Sequence, residues 1–167
     1  NDDILFAIPM LKGTTSRYGY NIGVTIDGGK HAYGSAKNYC QFNATYLYSF
    51  DKDDLRRDIT CVPYKYDKDL NQVIDMGFSA NGVGKWSKLK MESPLGASSG
   101  SNTGINSVRM RFADVLLMYA EAVNERFGPR DDAKEALKRV RRRAFEPSLW
   151  ANKVESYVES LNSEEQL

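Results

Sequence analysis

The stretch RFADVLLMYAEAVNE, residues 111–125, decides the fold of this chain. Its apolar side chains recur at the spacing of a helix, and three more apolar positions widen the same face. The recurring positions are Phe112, Leu116, Tyr119, Val123 and Phe127, and the widening ones are Val115, Met118 and Ala122. A helix that is apolar on most sides is predicted to lie buried between neighbouring helices.

A second helix is predicted after Gly128-Pro129, a pair typical of a helix end. Asp132 and Glu135 form the D-x-x-E pattern of a helix start, and an apolar stripe follows them. Residues 109–145 therefore predict a helical hairpin of the tetratricopeptide type. A third helix is expected over roughly residues 149–161. Because one pair of helices cannot bury its own faces, further helices are expected to pack on it.

The preceding part of the chain has a different composition. Twelve of the thirteen glycines and eight of the ten tyrosines lie in residues 1–104. Short apolar runs alternate there with turn signals, which predicts short strands joined by long loops. The runs are residues 4–8, 22–26, 46–50 and 85–91, and Gly96–Gly104 is expected to be a flexible link. The predicted fold is mainly α, with a loop-rich region of short strands at residues 1–104 and a tetratricopeptide-like helical region at residues 105–167.

The charge balance argues against two classes of partner. Lys and Arg number 23 and Asp and Glu number 22, so no general attraction to nucleic acid or to a membrane surface is expected.

Asn1-Asp2-Asp3 lacks the basic start of a signal peptide. Ser163–Gln166 has the form of a capping box, so a helix is expected to begin there. We therefore expect the chain to be an internal piece of a longer protein.

Residues for catalysis are sparse. His31 is the only histidine, and its Gly-rich turn favours a solvated loop side chain over a general base. Gly82-Val83-Gly84-Lys85 matches half of the phosphate-loop pattern, because Ser79 stands at the first glycine position and Trp86 follows the lysine. We predict no enzyme activity, no catalytic residues, no cofactor and no metal site.

Clusters of charge have simpler interpretations than chemistry. Four aspartates at residues 51–58 lack the glycine and glutamate of a calcium loop, and they alternate with basic residues, so local ion pairing is favoured. These residues are Asp51, Asp53, Asp54 and Asp58, with Lys52, Arg56 and Arg57 between them. The basic run Lys134–Arg143 predicts a solvated helix face, partly paired through Glu135 and Arg139.

Four further side chains leave two interpretations open. Asp114 and Glu121 fit either paired acids in a cleft or partners of the nearby Arg109 and Arg111. Cys40 and Cys61, the only cysteines, fit either a disulfide or two free thiols.

Tyrosines in residues 12–43 indicate a ligand. They lie in polar, Gly-rich loops among asparagines, outside any clear apolar periodicity. Aromatic rings cover the C–H face of a sugar, and amides bond its hydroxyl groups. The predicted glycan contacts are Tyr18, Tyr20, Tyr33, Asn38 and Tyr39. The alternative is that each tyrosine packs inside the irregular region with its hydroxyl satisfied.

Five segments of the chain resemble the SusD/RagB family, and they occur in the family's order. Residues 111–125 resemble the family signature LRYADVLLMYAEALNE, and Val140–Ala144 resembles the VRxRA element that follows it. Upstream, Asp54–Thr60 resembles the D-x-R-R-D-x-T segment. Gly84-Lys85-Trp86 resembles a glycine–lysine strand of the family, and Ile4–Ile8 resembles its E-I-[IL]-F-[AE]-I start.

The resemblance implies a non-catalytic glycan-binding lipoprotein of the Bacteroidetes outer membrane, exposed at the cell surface. Such proteins cap a SusC-like TonB-dependent transporter and pass it starch-like or other oligosaccharides. A lipid anchor in the part before Asn1 is implied, and so is one larger SusD-like domain that contains both regions. The competing interpretation is a protein-interaction scaffold with a concave groove lined by Asp114, Glu121 and Arg142.

Overall fold

The computed structural model describes residues 3–74, 81–91 and 101–161. They divide into two compact units. The helical unit comprises Asn1–Ala7, Asp53–Leu55 and Val108–Leu167, and the loop unit comprises Ile8–Lys52 and Arg56–Ser107. The division predicted between residues 104 and 105 stays a prediction.

The elements follow one another with many short pieces. The strands are β1 (Ile4–Ile8), β2 (Cys61–Tyr66), β3 (Gln72–Ile74), β4 (Asn81–Val83) and β5 (Ser107–Arg111). The α-helices are α1 (Ala44–Ser49), α2 (Arg57–Thr60), α3 (Phe112–Phe127), α4 (Asp131–Arg142) and α5 (Tyr157–Glu159). Single 3₁₀ turns lie at Gly84–Trp86, Lys88–Lys90 and Pro147–Leu149, and a π-helical segment lies at Ala151–Ser156. In the described part of the chain, no helix is both long and apolar enough to cross a membrane.

The predicted helical hairpin is confirmed as α3 and α4. The backbone N–H of Arg111 donates to Asp114 Oδ2 over 2.8 Å at the start of α3. Gly128 ends the helix with a φ of 77°, a conformation that glycine adopts without strain. Alanines form the buried interface, with Leu116 and Val123 packed against them: Ala120, Ala133 and Ala136. Their small side chains let the two helices approach closely.

The helical unit differs from the prediction in strand β5, in the start of α4 and in the third helix. Residues 107–111 form strand β5, which pairs with β1, although the helical pattern was predicted to begin at Asn106. Helix α4 begins at Asp131, one residue before the predicted start. Asp132 instead accepts a hydrogen bond from the Tyr119 hydroxyl at 3.0 Å. Its other carboxylate oxygen, Oδ1, accepts the Ala133 N–H over 3.0 Å in the first turn of α4.

The predicted third helix is present, but it is a 3₁₀ turn at Pro147–Leu149 and π-helical at Ala151–Ser156. The Ser156 hydroxyl donates to the Ala151 carbonyl over 2.8 Å within the π-helical segment, and only α5 continues as α-helix. Three residues of the predicted apolar face are buried: Val154, Val158 and Leu161. The fourth, Tyr157, is 46% exposed, and its ring lies 3.8 Å from the Arg141 guanidinium.

The loop unit is built on a three-stranded antiparallel sheet in the order β3-β2-β4. Cys61 lies opposite Val83, and Tyr64 lies opposite Ile74. Buried apolar side chains form the core beside it: Val24, Ile26, Ala36, Cys61 and Val62. Ile26 exchanges backbone hydrogen bonds with Ala36, which ties the irregular segments to each other.

Backbone hydrogen bonds join the two ends of the loop unit. Gly13 N–H donates to Asn102 O over 2.9 Å, and Thr103 N–H donates to Ser16 O over 2.8 Å. Gly104 N–H donates to Thr15 O over 3.0 Å. The segments near residues 13–16 and 102–104 therefore form a closed neck.

Three strands predicted in the loop unit are wrong. Residues 22–26 make only isolated bridges, and residues 46–50 belong mainly to helix α1. The side chain of Asn43 caps that helix by accepting the Tyr46 N–H over 2.7 Å. Residues 85–91 form two 3₁₀ turns, and Ser87 Oγ accepts the Leu89 N–H at the second of them.

Some expectations lie outside the described residues. They concern Ser79 of the phosphate-loop comparison, most of the link Gly96–Gly104, and the capping box at Ser163–Gln166.

Candidate functional site

Two of the predicted glycan contacts pack against the 3₁₀ turns. The ring of Tyr18 stacks on Trp86, with 5.0 Å between centroids and 23° between planes. The ring of Tyr20 lies 5.9 Å from the Lys88 ammonium group. Both tyrosines are partly buried. These contacts correspond to the packing alternative considered for these two tyrosines.

Glycines allow this packing. A Cβ atom at Gly19 would lie 2.8 Å from the Trp86 carbonyl oxygen, and one at Gly23 would lie 2.9 Å from the same oxygen. Any larger residue at either position would push the turn away from Trp86. The lack of a side chain at Gly19 and Gly23 therefore matters for this turn as much as the ring contacts of Tyr18 and Tyr20 do.

Lys88 holds the same turn from inside, and no sequence pattern indicates this role. Its side chain is fully buried, and Nζ donates to the Ser35 carbonyl over 3.0 Å. Burial lowers the pKa of this ammonium group, because the charged form loses its hydration. Lys88 thus joins the segment of Ser35 to the turn of Tyr20.

The segment Lys37–Tyr39 lies beside that turn. Lys37 N–H donates to Tyr20 O over 2.7 Å, and Tyr39 N–H donates to Asn21 O over 2.9 Å. The structure therefore brings four of the five predicted contacts into one neighbourhood of the loop unit, namely Tyr18, Tyr20, Asn38 and Tyr39. Tyr33 is partly buried elsewhere along the same loops.

Tyr39 and Asn38 differ in the access that solvent has to their polar groups. Tyr39 is 71% exposed, the highest exposure among the predicted contacts. Both side-chain amide atoms of Asn38, and the amide oxygen of Asn21, are shielded from solvent without a hydrogen-bond partner in the described part of the chain. Because a ligand hydroxyl group cannot reach atoms that water does not reach, Tyr39 is the predicted contact that presents an exposed side chain.

A cavity of about 480 Å³ lies between helix α1 and the start of strand β2. Its lining is aromatic and aliphatic on one side and charged on the other: Leu47, Tyr48, Phe50, Cys61 and Pro63, then Lys52, Arg57 and Asp58. A smaller cavity of about 200 Å³ lies at the other face of β2, where Val62, Tyr64 and Tyr66 line it. The alternation of side chains along a strand explains why consecutive residues of β2 line different cavities.

Tyr64 in the smaller cavity is a weak acid. Burial, together with its hydrogen bond to Tyr66, raises the pKa of its hydroxyl to about 12. The two rings meet edge to face with centroids 5.5 Å apart. Tyr64 is therefore a neutral hydroxyl group at physiological pH and is not poised to act as a base.

His31, Cys40 and Cys61 are the histidine and the thiols considered in the sequence. His31 Nε2 lies 3.1 Å from the Asp27 carbonyl oxygen. Cys40 is an exposed free thiol and Cys61 a buried one. Burial raises the pKa of the Cys61 thiol, which reduces its thiolate fraction. Across residues 3–74, 81–91 and 101–161, no group of three or more His, Cys, Asp or Glu side chains is arranged to hold a metal ion.

The charged clusters form ion pairs, and two differ from the predicted ones. Asp58 pairs with Arg57 as expected, but Asp53 pairs with Lys153 at 3.1 Å, far along the chain. Glu135 pairs with Arg142 at 2.7 Å, where Arg139 was predicted. The reason is that Arg142 also reaches Glu155 at 2.7 Å, so one guanidinium links α4 to the segment after it.

The chain is similar to known proteins both in sequence and in structure. A sequence model of the SusD family matches residues 77–167. A SusD homologue from Bacteroides thetaiotaomicron VPI-5482 is similar in structure, with a TM-score of 0.70 and 26% identity over 84% of this chain and 32% of the other. Comparison with curated proteins gave no significant match.

Two further solved structures share the fold. Surface glycan-binding protein A from Bacteroides thetaiotaomicron, solved with laminarihexaose, has a TM-score of 0.58 and 17% identity over 85% of this chain and 35% of the other. The protein of the same name from Bacteroides uniformis has a TM-score of 0.58 and 20% identity over 86% of this chain and 30% of the other. The chain spans about a third of the length of these structures. Because the family model covers more than half of the sequence, the chain belongs to the SusD family.

Proposed function

We propose that this chain is part of a non-catalytic, cell-surface protein that binds glycans and delivers them to a TonB-dependent transporter of the outer membrane. Membership of the SusD family carries the proposal. The binding surface we assign to it consists of the tyrosine- and asparagine-bearing loops between Lys12 and Asn43.

The chemistry of these loops supports a sugar ligand. Tyr39 offers an exposed ring to the C–H face of a sugar. Asn38 stays a predicted contact on its sequence context. Tyr18 and Tyr20 support this binding surface through their contacts with Trp86 and Lys88. Tyr33 stays a predicted contact on its sequence context alone.

The transporter partner and the location rest on the family. A SusC-like TonB-dependent transporter is the proposed recipient of the glycan. A lipid anchor in a part of the protein before Asn1 is the proposed attachment to the outer membrane.

Isothermal titration calorimetry against a panel of soluble polysaccharides and oligosaccharides tests the proposal. We expect the wild-type chain to bind one glycan class and Tyr39→Ala to weaken that binding about fivefold, since a lost aromatic contact costs about 1 kcal/mol. Phe127→Ala is the matched control, because Phe127 is a 61% exposed aromatic residue of the helical unit. Absence of binding to every glycan of the panel would refute the proposed function.

The interaction scaffold keeps one observation in its favour. Helix α3 leaves Leu117, Met118 and Tyr119 between 40% and 49% exposed, and adjacent apolar side chains of this kind occur at protein interfaces. Of the groove residues predicted for it, however, Arg142 is held by Glu135 and Glu155. A partner that copurifies with the wild-type chain and is lost on Met118→Glu would support this function over glycan capture.

A further inference from the structure

We propose that the cavity between helix α1 and strand β2 is a second sugar-binding subsite, which takes a neutral hexopyranose unit of a glycan. This inference rests on the proposed function and adds to it a site outside the loops of residues 12–43. Tyr48 forms the stacking surface, and the Arg57–Asp58 pair forms the hydrogen-bonding edge.

The size of the cavity suits part of an oligosaccharide. Its volume of about 480 Å³ falls in the range of roughly 300–1,000 Å³ typical of small-molecule sites. The floor is formed by Cys61, which is 2% exposed, and by Pro63, which shares its face of β2. The floor is rigid because β2 is the central strand of its sheet.

Helix α1 presents its aromatic side chains outward. All six of its residues are at least partly exposed, and Tyr48 is 82% exposed. Tyr46 and Phe50 meet edge to face with centroids 5.2 Å apart, which fixes the position of Phe50 in the lining. Tyr48 and Phe50 both line the cavity, and the exposed ring of Tyr48 is available for a sugar ring to stack on.

The polar edge matches hydroxyl groups better than it matches a charged ligand. Arg57 Nε lies 2.7 Å from Asp58 Oδ1, and Arg57 Nη2 lies 3.2 Å from Asp58 Oδ2. This pair is neutral as a whole, yet it sets N–H donors beside carboxylate acceptors. The hydrogen bond from Arg57 lowers the pKa of Asp58, so the acceptor stays ionised.

The ionised carboxylate of Asp58, whose side chain is 75% exposed, accepts hydrogen bonds from sugar hydroxyl groups. An anionic ligand would instead compete with Asp58, whose side chain is 75% exposed at the cavity. A purely apolar ligand would have to strip water from the ion pair without replacing its hydrogen bonds. A neutral sugar avoids both costs.

The test measures affinity of the 167-residue chain for laminarihexaose, maltoheptaose and cellohexaose by calorimetry. We expect Tyr48→Ala and Asp58→Asn each to weaken binding of the preferred oligosaccharide about tenfold, and Tyr48→Phe to keep wild-type affinity because the ring remains. Circular dichroism and thermal midpoints of the variants check that each is folded. Phe127→Ala serves as the exposed aromatic control.

The outcomes separate this proposal from the proposed function. If the wild-type chain binds and Tyr39→Ala weakens binding while Tyr48→Ala and Asp58→Asn do not, the subsite is refuted and the proposed function stands. If Tyr48→Phe binds as weakly as Tyr48→Ala, stacking on the ring is refuted as its basis. If the wild-type chain binds no oligosaccharide of the panel or of the wider polysaccharide set, both proposals fail.

Discussion

Replacing Gly19 by alanine is expected to destabilise the loop unit far more than the same change at Gly13. Both glycines have a left-handed backbone, with φ of 80° at Gly19 and 79° at Gly13. An alanine there costs about 1–2 kcal/mol through its Cβ atom alone. A Cβ atom at Gly13 meets nothing within 4 Å, whereas one at Gly19 would lie 2.8 Å from the Trp86 carbonyl oxygen.

The contact with Trp86 adds a second cost at Gly19 only. Crowding of this kind costs typically about 1–3 kcal/mol, so Gly19→Ala is expected to lose roughly 2–5 kcal/mol of unfolding free energy. Urea unfolding followed by tryptophan fluorescence measures both variants, with Gly13→Ala as the matched control for backbone strain. Equal losses in the two variants would contradict the reasoning, because they would mean that the Trp86 carbonyl moves away freely.

Three other predictions concern the hairpin, the thiols and the buried lysine. Ala133→Leu should lose about 1–3 kcal/mol in urea unfolding because Ala133 is fully buried between the helices, while Ala122→Leu on the exposed side should change stability by no more than about 0.5 kcal/mol. Iodoacetamide followed by mass spectrometry should label Cys40 in the native protein and Cys61 only after denaturation, since Cys61 is buried and its pKa is raised; equal rates would contradict this. The pKa of Lys88 is lowered in the folded state, so the unfolded state binds more protons than the folded state above that pKa. The free energy of unfolding of the wild type, relative to that of Lys88→Met, should therefore rise with pH toward 10.5. A difference that stays constant between pH 7 and 10 would refute this prediction.

The helical hairpin was predictable because its signal is long and redundant. Some fifteen residues of apolar periodicity, a terminal Gly128 and a second stripe after it all favour the same structure. The π-helical segment of the third helix was not predictable in the same way. A single hydroxyl, that of Ser156, bonds the Ala151 carbonyl within the π-helical segment, and the apolar pattern carries no trace of it.

Apolar periodicity predicted the elements of the loop unit poorly, because the apolar runs there are short. Residues 46–50 have the tyrosines and apolar residues of a strand, yet the side chain of Asn43 caps a helix there. Residues 85–91 have similar composition, and Ser87 turns them into 3₁₀ structure. In both cases one local hydrogen bond outweighs a weak β propensity, which is expected of segments only five to seven residues long.

The neighbourhood of the predicted contacts was partly visible in the sequence. The clustering of tyrosines and amides indicated the right loops, but composition cannot distinguish Tyr39, which is exposed, from Tyr18, which stacks on Trp86. That distinction depends on the distant residues Trp86 and Lys88. The cavity beside α1 was missed because it requires the helix that the sequence analysis assigned as a strand.

The closed neck of the loop unit has an evolutionary consequence. Segments near residues 13–16 and 102–104 are bonded to each other, and between them only Asp53–Leu55 belongs to the helical unit. A loop between two anchored ends can lengthen at small cost, about 0.6 kcal/mol for each doubling of its length. Insertions in exposed loops between the anchors, away from Asp53–Leu55 and the buried core, are therefore expected to be tolerated. Such an arrangement would let these loops change in length while the framework is kept.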